Sequence, residues 1–448
     1  MNYIGIAFCI TMIAIGFITN KKIINPITIF YTLWAVIFEL SFLRLFNLKQ
    51  ASDKAYQIIL LGLFTFAIGY YLVYFFTRKY KVVLRYHKHF KRKIFKKEYL
   101  LRYKLIYFLG VITFLIYLYD LSIIFSYILN GSSLAYIRQL AQDSTSIIYA
   151  NRSVVENAIR VLIVTPFTIA LQPIVAVDFW FGERNKKLII MDVSIIILRV
   201  ITDGSRVLIV YLLLHFLASL TFINRNFLKS RKREKKKKRK KKLIITLIVV
   251  VSLFALYKTT LSRSGENFLR YLYYYFSMEP YMFEIWSEVV DSTQLVGYGF
   301  ASTNGFWFFL FYIIKNILGL SKYPEHWYSI YNIILATDSH WQVIAGDATT
   351  ANAYVSLFWF FYLDGKIIGV IIGMLIYGMV CSKMFSNALN KKTSKSICLY
   401  LIILQGLCFS FVRLQFADIY YSIAVIFILL FAYKPTVLRI GEDIKQID

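Results

Sequence analysis

Cysteine is scarce in this chain, and it is placed away from chemistry. The 448 residues hold four, Cys9, Cys381, Cys398 and Cys408, all inside apolar runs, with no C-x-x-C and no histidine at ligand spacing. That pattern excludes a disulfide framework and a cysteine zinc site, and reads as small core residues. Nucleotide and metal signatures are missing as well: there is no Walker glycine loop, no G-x-G-x-x-G, no H-E-x-x-H and no D-x-D in a segment expected outside the membrane. Residues 2–19 lack the basic start and small-residue cleavage site of a signal peptide, so they read as a retained span. No internal repeat of the transporter kind is visible, and no low-complexity segment exists apart from one lysine run.

What the chain has in abundance is apolar and basic residues. Apolar residues make up 58% and aromatics 18%, with a mean hydropathy of +0.59. Soluble domains average about 45–50% apolar, so this is an integral membrane protein. Its positive charge is concentrated in two blocks. Residues 78–104 hold twelve Lys or Arg against Glu98, residues 225–242 hold thirteen against Glu234, and together they supply +23 of the net +28. Both blocks lie between apolar runs, which favours the positive-inside rule over a nucleic-acid surface, and both are expected in the cytoplasm.

A helical span needs about 20 apolar residues. On that ruler, spans are expected near 2–19, 25–46, 55–77, 105–128, 158–181, 188–201, 207–223, 243–258, 365–384, 397–412 and 418–433. The expected fold class is an all-α polytopic membrane protein of about 11 spans, with one long external loop containing interfacial helices. Residues 1–258 would form an N-terminal bundle, 259–364 the external loop, and 365–448 a C-terminal bundle with a cytoplasmic tail. Lys21 and Lys22, Lys186 and Lys187, and Lys391, Lys392 and Lys395 then all fall inside, with the N-terminus outside and the C-terminus cytoplasmic.

The long loop reverses the sign of the chain, with four Lys or Arg against nine Asp or Glu, and it holds Trp286, Trp307, Trp327, Trp341 and Trp359. An aromatic belt at the interface and a set of sugar-stacking platforms both account for that concentration of tryptophan. Within the loop, residues 303–320 form an apolar run broken by Lys315, which suits an interfacial or re-entrant helix better than a crossing. Without nucleotide or metal motifs, an anionic substrate would be held by arginines, whose planar forks make paired hydrogen bonds to phosphates. The arginines expected at the outer face are Arg138, Arg152, Arg160, Arg206, Arg263, Arg270 and Arg413; taken singly, each also reads as a charge snorkelling or paired with an acid. Asp203 and Asp418 stand beside Arg206 and Arg413 as such partners. Glu266, Glu279, Glu284, Asp338, His340, Asp347 and Asp364 could accept a hydroxyl proton, and Asp364 stands out because it interrupts an apolar stretch.

The segment Thr349 to Gly369 contains Asn352, Tyr354, an aromatic run, Asp364, Gly365 and Gly369. It resembles the corresponding stretch of the bacterial O-antigen or capsule repeat-unit polymerases (Wzy type), as do Asn25-Pro26, Gly204-Ser205-Arg206 and Arg413. The resemblance implies transfer of a growing glycan from undecaprenyl diphosphate onto a lipid-linked repeat at the outer face of the plasma membrane, without cofactor or metal. Arg206, Arg413, Arg263, Arg270 and Arg138 would bind substrate, and Asp364 or His340 would act as base. Expected partners are the lipid-linked oligosaccharide, membrane lipid, a chain-length regulator and a flippase. A lipid-oligosaccharide flippase, expected to line its central spans with charge, and an O-antigen ligase are the rival readings.

Overall fold

The computed structural model describes residues 2–22, 24–86, 95–132, 136, 140, 152–203, 206–223, 268–317, 319, 322–346 and 348–439. The lysine-rich block 225–242, the expected span 243–258, and Arg138, Arg263, Glu266 and Asp347 lie outside the described residues.

The described chain is almost wholly helical, and among its residues six helices are long and apolar enough to cross a membrane. Five of them are α1 (Asn2–Asn20), α2 (Pro26–Leu43), α3 (Asp53–Tyr86), α4 (Tyr103–Leu129) and α5 (Val154–Phe181), the last running through a π turn at Arg160–Val164. Then come α6 (Lys186–Asp203) and α7 (Val207–Ser219). The long insertion contributes α8 (Phe268–Ser277), α9 (Glu279–Thr293), α10 (Asn304–Ile317) and α11 (Glu325–Ser339). The sixth long helix, α12 (Ser356–Lys391), is followed by α13 (Ser394–Cys408) and α14 (Ile419–Leu430). Two short two-stranded sheets complete the described structure: β1 (Phe95–Leu101) pairs antiparallel with β4 (Tyr433–Arg439) from the far end of the chain, and β2 (Gln342–Ala345) with β3 (Thr349–Ala351) as a hairpin.

Local sequence explains where helices begin and how closely they approach. Asn25 caps α2 by accepting the Thr28 N–H at 2.9 Å, and Pro26 fills the first helical position, where no donor is needed. At the centre, α3 lies backbone to backbone on α12. A Cβ on Gly69 would stand 2.0 Å from the Leu375 carbonyl oxygen, and one on Gly378 would stand 2.3 Å from that of Phe66. Small residues of this kind let membrane helices gain dispersion contacts that lipid cannot supply. Outward, Ile368, Ile372 and Ile376 are exposed at i, i+4 and i+8 along α12, a stripe suited to lipid.

Lys22, Arg102, Lys186 and Lys395, among the described basic residues, belong to one end of this bundle. Lys22 donates to the Thr221 carbonyl at 2.7 Å, Phe222 meets Tyr400, and Phe216 meets Phe179. Tyr103 donates to Asp178, the Arg102 N–H reaches the Ala432 carbonyl, and Lys395 sits 5.0 Å over the Tyr99 ring. The turn between α2 and α3 marks the opposite end, where it is bound by the insertion: Leu45 N–H donates to Tyr273 Oη at 2.9 Å, Lys49 N–H to Ile344 O at 2.8 Å and Ser52 N–H to Glu284 at 2.9 Å.

One expectation changes in kind. Residues 356–364 belong to the external loop by sequence, yet Ser356 to Leu363 are all buried. The helix breaks at Gly365 and Lys366, the latter at φ 51° and ψ −137°, and doubles back. A Cβ on Gly369 would lie 2.1 Å from the Phe361 carbonyl oxygen, whereas residues eight apart in an unbroken helix are about 12 Å apart. The arm 356–364 therefore descends into the bundle beside the helix that follows it. The apolar run at 303–320 holds the 14-residue α10, about 21 Å long.

Candidate functional site: an arginine layer

Asp120 interrupts the apolar face of α4 and is buried. At the π turn of α5, Arg160 grips it with a two-pronged fork, Nη1 to Oδ2 at 2.5 Å and Nη2 to Oδ1 at 2.8 Å. Turns of this kind widen a helix locally and recur at functional sites. Arg160 also holds Glu156, one turn earlier, at 2.7 Å, and Arg152 adds a second guanidinium to Asp120 at 3.3 Å. On α6, Arg199 donates to Asp203 at 3.2 Å and to the Thr168 hydroxyl at 2.6 Å. Arg413, in the turn after α13, pairs with Asp338 at the end of α11.

Two tyrosines join these pairs into one layer. Tyr117 lies in the field of Arg199, Asp203, Asp120 and Arg160, and Tyr211 in that of Asp418, Arg199 and Arg413. The four arginine side chains are only 10–19% exposed, so each guanidinium needs its acid to offset desolvation.

Beneath Arg413 the backbone is irregular. Val355 N–H donates to Val412 O at 3.1 Å and Leu357 N–H to Ser410 O at 2.8 Å, so the base of the 356–364 arm is stitched to the 410–413 turn. Buried non-helical backbone persists only where protein or water satisfies it, as these cross-bonds do. Asn352 donates to the Asp338 carbonyl, which holds Asp338 against Arg413. Tyr354 stacks on Tyr275 at 5.5 Å and meets Phe411 at 6.0 Å, and Phe411 in turn stacks on Phe276 at 5.0 Å. A flat aromatic patch thus borders the ion pair.

The residues singled out by sequence divide sharply. Arg413 joins the layer. Arg206 is half-buried at the start of α7, three residues beyond Asp203. Arg270 is farther along the insertion, donating to Tyr274 and Thr349 and lying 5.9 Å over the Phe46 ring. His340 is exposed at the end of α11, two residues from Asp338. Asp364 has a different task. Its carboxylate accepts the backbone N–H groups of Gly299, Ala301 and Ser302 at 2.8–2.9 Å, so it ties down the turn after α9 with its oxygens already engaged. The tryptophans likewise depart from a belt or platform: Trp286, Trp327 and Trp359 are fully buried, and Trp359 Nε1 donates to the Trp286 carbonyl at 2.9 Å. Of the five, only Trp341 is largely exposed.

Sequence reasoning passed over Asp120 and Arg199. The signal was present, because an ionisable residue inside an apolar span is expensive and calls for a partner. The same holds for Asp192 on α6, buried and bonded to Gln172 on α5 at 2.7 Å. The central helices thus carry more charge than the sequence suggested. No family model, no curated protein and no solved structure matches this chain.

Proposed function

We propose that the chain is a polymerase of lipid-linked oligosaccharide repeat units, of O-antigen or capsular type, working at the outer face of a bacterial plasma membrane. The observation that carries the reading is the half-buried arginine layer at the end of the bundle opposite the basic segments. With about 11 spans and those segments in the cytosol, Arg413 and Arg206 face the outer leaflet, where a polyprenyl diphosphate headgroup would lie.

In this reading the diphosphate displaces Asp338 from Arg413, exchanging one anion for another on a fork suited to both. Asp338, released beside His340, then accepts the proton of the incoming sugar hydroxyl. The hydroxyl oxygen bonds to the anomeric carbon as the carbon–oxygen bond to diphosphate breaks, and the arginines stabilise the charge that develops on the leaving group. Attack from the face opposite the diphosphate inverts the anomeric centre. The patch of Tyr275, Tyr354 and Phe411 offers flat faces to a pyranose ring.

Arg413→Ala and Arg206→Ala are expected to abolish chain extension on defined lipid-linked repeats while insertion stays normal; wild-type ladders in both would remove the diphosphate role. A flippase remains a second reading because Asp192, Gln172 and the Asp120–Arg160 pair lie between spans. A deletion strain separates the classes: a lost polymerase leaves single repeats, a lost ligase leaves long unattached chains, and a lost flippase leaves repeats on the cytoplasmic leaflet.

A further inference from the structure

Glu279 is the anomaly among the acids of this half of the molecule. Asp120, Asp203 and Asp338 each have an arginine, and Asp364 has three backbone donors. Glu279 is 0% exposed, and neither carboxylate oxygen has a hydrogen-bond partner of normal geometry. Among the described residues, Ser356 is the one polar side chain bearing on it, and no lysine or arginine pairs with it. An ionised carboxylate left so would cost several kcal/mol by general desolvation estimates, on the order of what unfolds a domain.

Its surroundings supply further unused oxygens. Glu279 opens α9 with Ser356 bearing on it, and Leu357 N–H donates to Ser410 O at 2.8 Å, so the carboxylate lies beside the crossing of the 353–357 and 410–413 backbones. There the Ser356 hydroxyl is buried with the Glu279 carboxylate bearing on it, and the Ser410 hydroxyl is buried with no hydrogen-bond partner among the described residues. Ser356 sits at φ 61° and Ala353 at φ 66°, left-handed conformations costly for residues with a Cβ and typical of sites where backbone is held for a purpose. The α13 helix ends at Cys408, two residues before Ser410, so the negative end of its dipole lies near the crossing.

We propose that Glu279, Ser356 and Ser410 form an oxygen-lined site for a small monovalent cation of sodium size, which fixes the backbone crossing beneath Arg413. The donor set is hard and all oxygen, as alkali and alkaline-earth ions require, and a single carboxylate balances one positive charge. Interrupted membrane helices, hydroxyls and helix C-termini are the usual makings of such a site. The inference does not depend on the polymerase reading, since it can be tested without any glycan.

Purified full-length protein in detergent should bind 22Na+ saturably, and its thermal midpoint should rise with NaCl but not with choline chloride at equal ionic strength. Glu279→Gln should abolish both responses, and Ser356→Ala should weaken binding by tenfold or more while the protein still folds. If Glu279→Gln fails to fold, 22Na+ binding by the wild type and by Ser356→Ala still decides. No saturable 22Na+ binding by the wild type, or equal midpoints in sodium and choline, overturns the proposal and leaves Glu279 a buried protonated acid.

Discussion

The two ends of the bundle handle positive charge in opposite ways. At one, Lys391 and Lys392 stand exposed at the end of α12, and Lys395 lies over an aromatic face. At the other, Arg152, Arg160, Arg199 and Arg413 are threaded between helices, each against an acid. Lysine in water costs the fold little, so its abundance can orient the chain without shaping it. A buried guanidinium demands a partner and a fixed geometry, and it can trade that partner for a phosphate.

The comparison fails most visibly if the buried pairs turn out to be dispensable. Arg160→Ala leaves the buried Asp120 with Arg152 alone at 3.3 Å and should cost up to about 3–5 kcal/mol, the penalty for a fully orphaned buried charge. It should be read as a fall in thermal midpoint in detergent, partly restored by adding Asp120→Asn. Next in size is the contact between the two ends: Gly69→Ala drives a Cβ into the Leu375 carbonyl and should cost about 1–3 kcal/mol as overpacking.

Much of the layout could be read from the sequence, and what could not has physical causes. The length of the apolar runs marked α1 to α5, because helices that cross a bilayer are apolar over about 20 residues. Lys22 and Lys395, from two of the basic clusters, lie at one end of the described bundle. Hidden from view was the doubling back at Gly365 and Lys366, which buries an arm that composition assigns to a loop; hydrophobicity alone cannot tell a lipid-facing run from one folded against its own helix. Asp364 looked like a costly unpaired acid because its partners are backbone N–H groups of residues 299–302, which no side-chain pattern announces. Asp120 and Arg160 are 40 residues apart, a pairing visible only once α4 and α5 are side by side.

Smaller effects sharpen the contrast. Asp291, at the arginine-bearing end but on the surface, is held by Lys366 at 3.1 Å, Tyr362 at 3.0 Å and Lys54 at 3.7 Å. Partial burial alone would raise its carboxyl, but hydrogen bonds from Lys366 and Tyr362 outweigh that and hold it below the ordinary carboxylate range. Its contribution is therefore complete above that range and is lost as pH falls through the lowered value. The thermal midpoints of wild type and Asp291→Asn should differ slightly near neutrality, less in high salt, and converge in strong acid. Smallest of all, Lys391→Gln with Lys392→Gln should move stability by less than about 0.5 kcal/mol in the same thermal scan.

Sidedness is the claim on which the arginine layer's role rests. In a chain freed of its four cysteines, a membrane-impermeant maleimide should label Tyr298→Cys in intact cells and Lys391→Cys only after permeabilisation. Labelling of Lys391→Cys in intact cells with Tyr298→Cys protected would place the layer on the cytoplasmic leaflet and contradict the account.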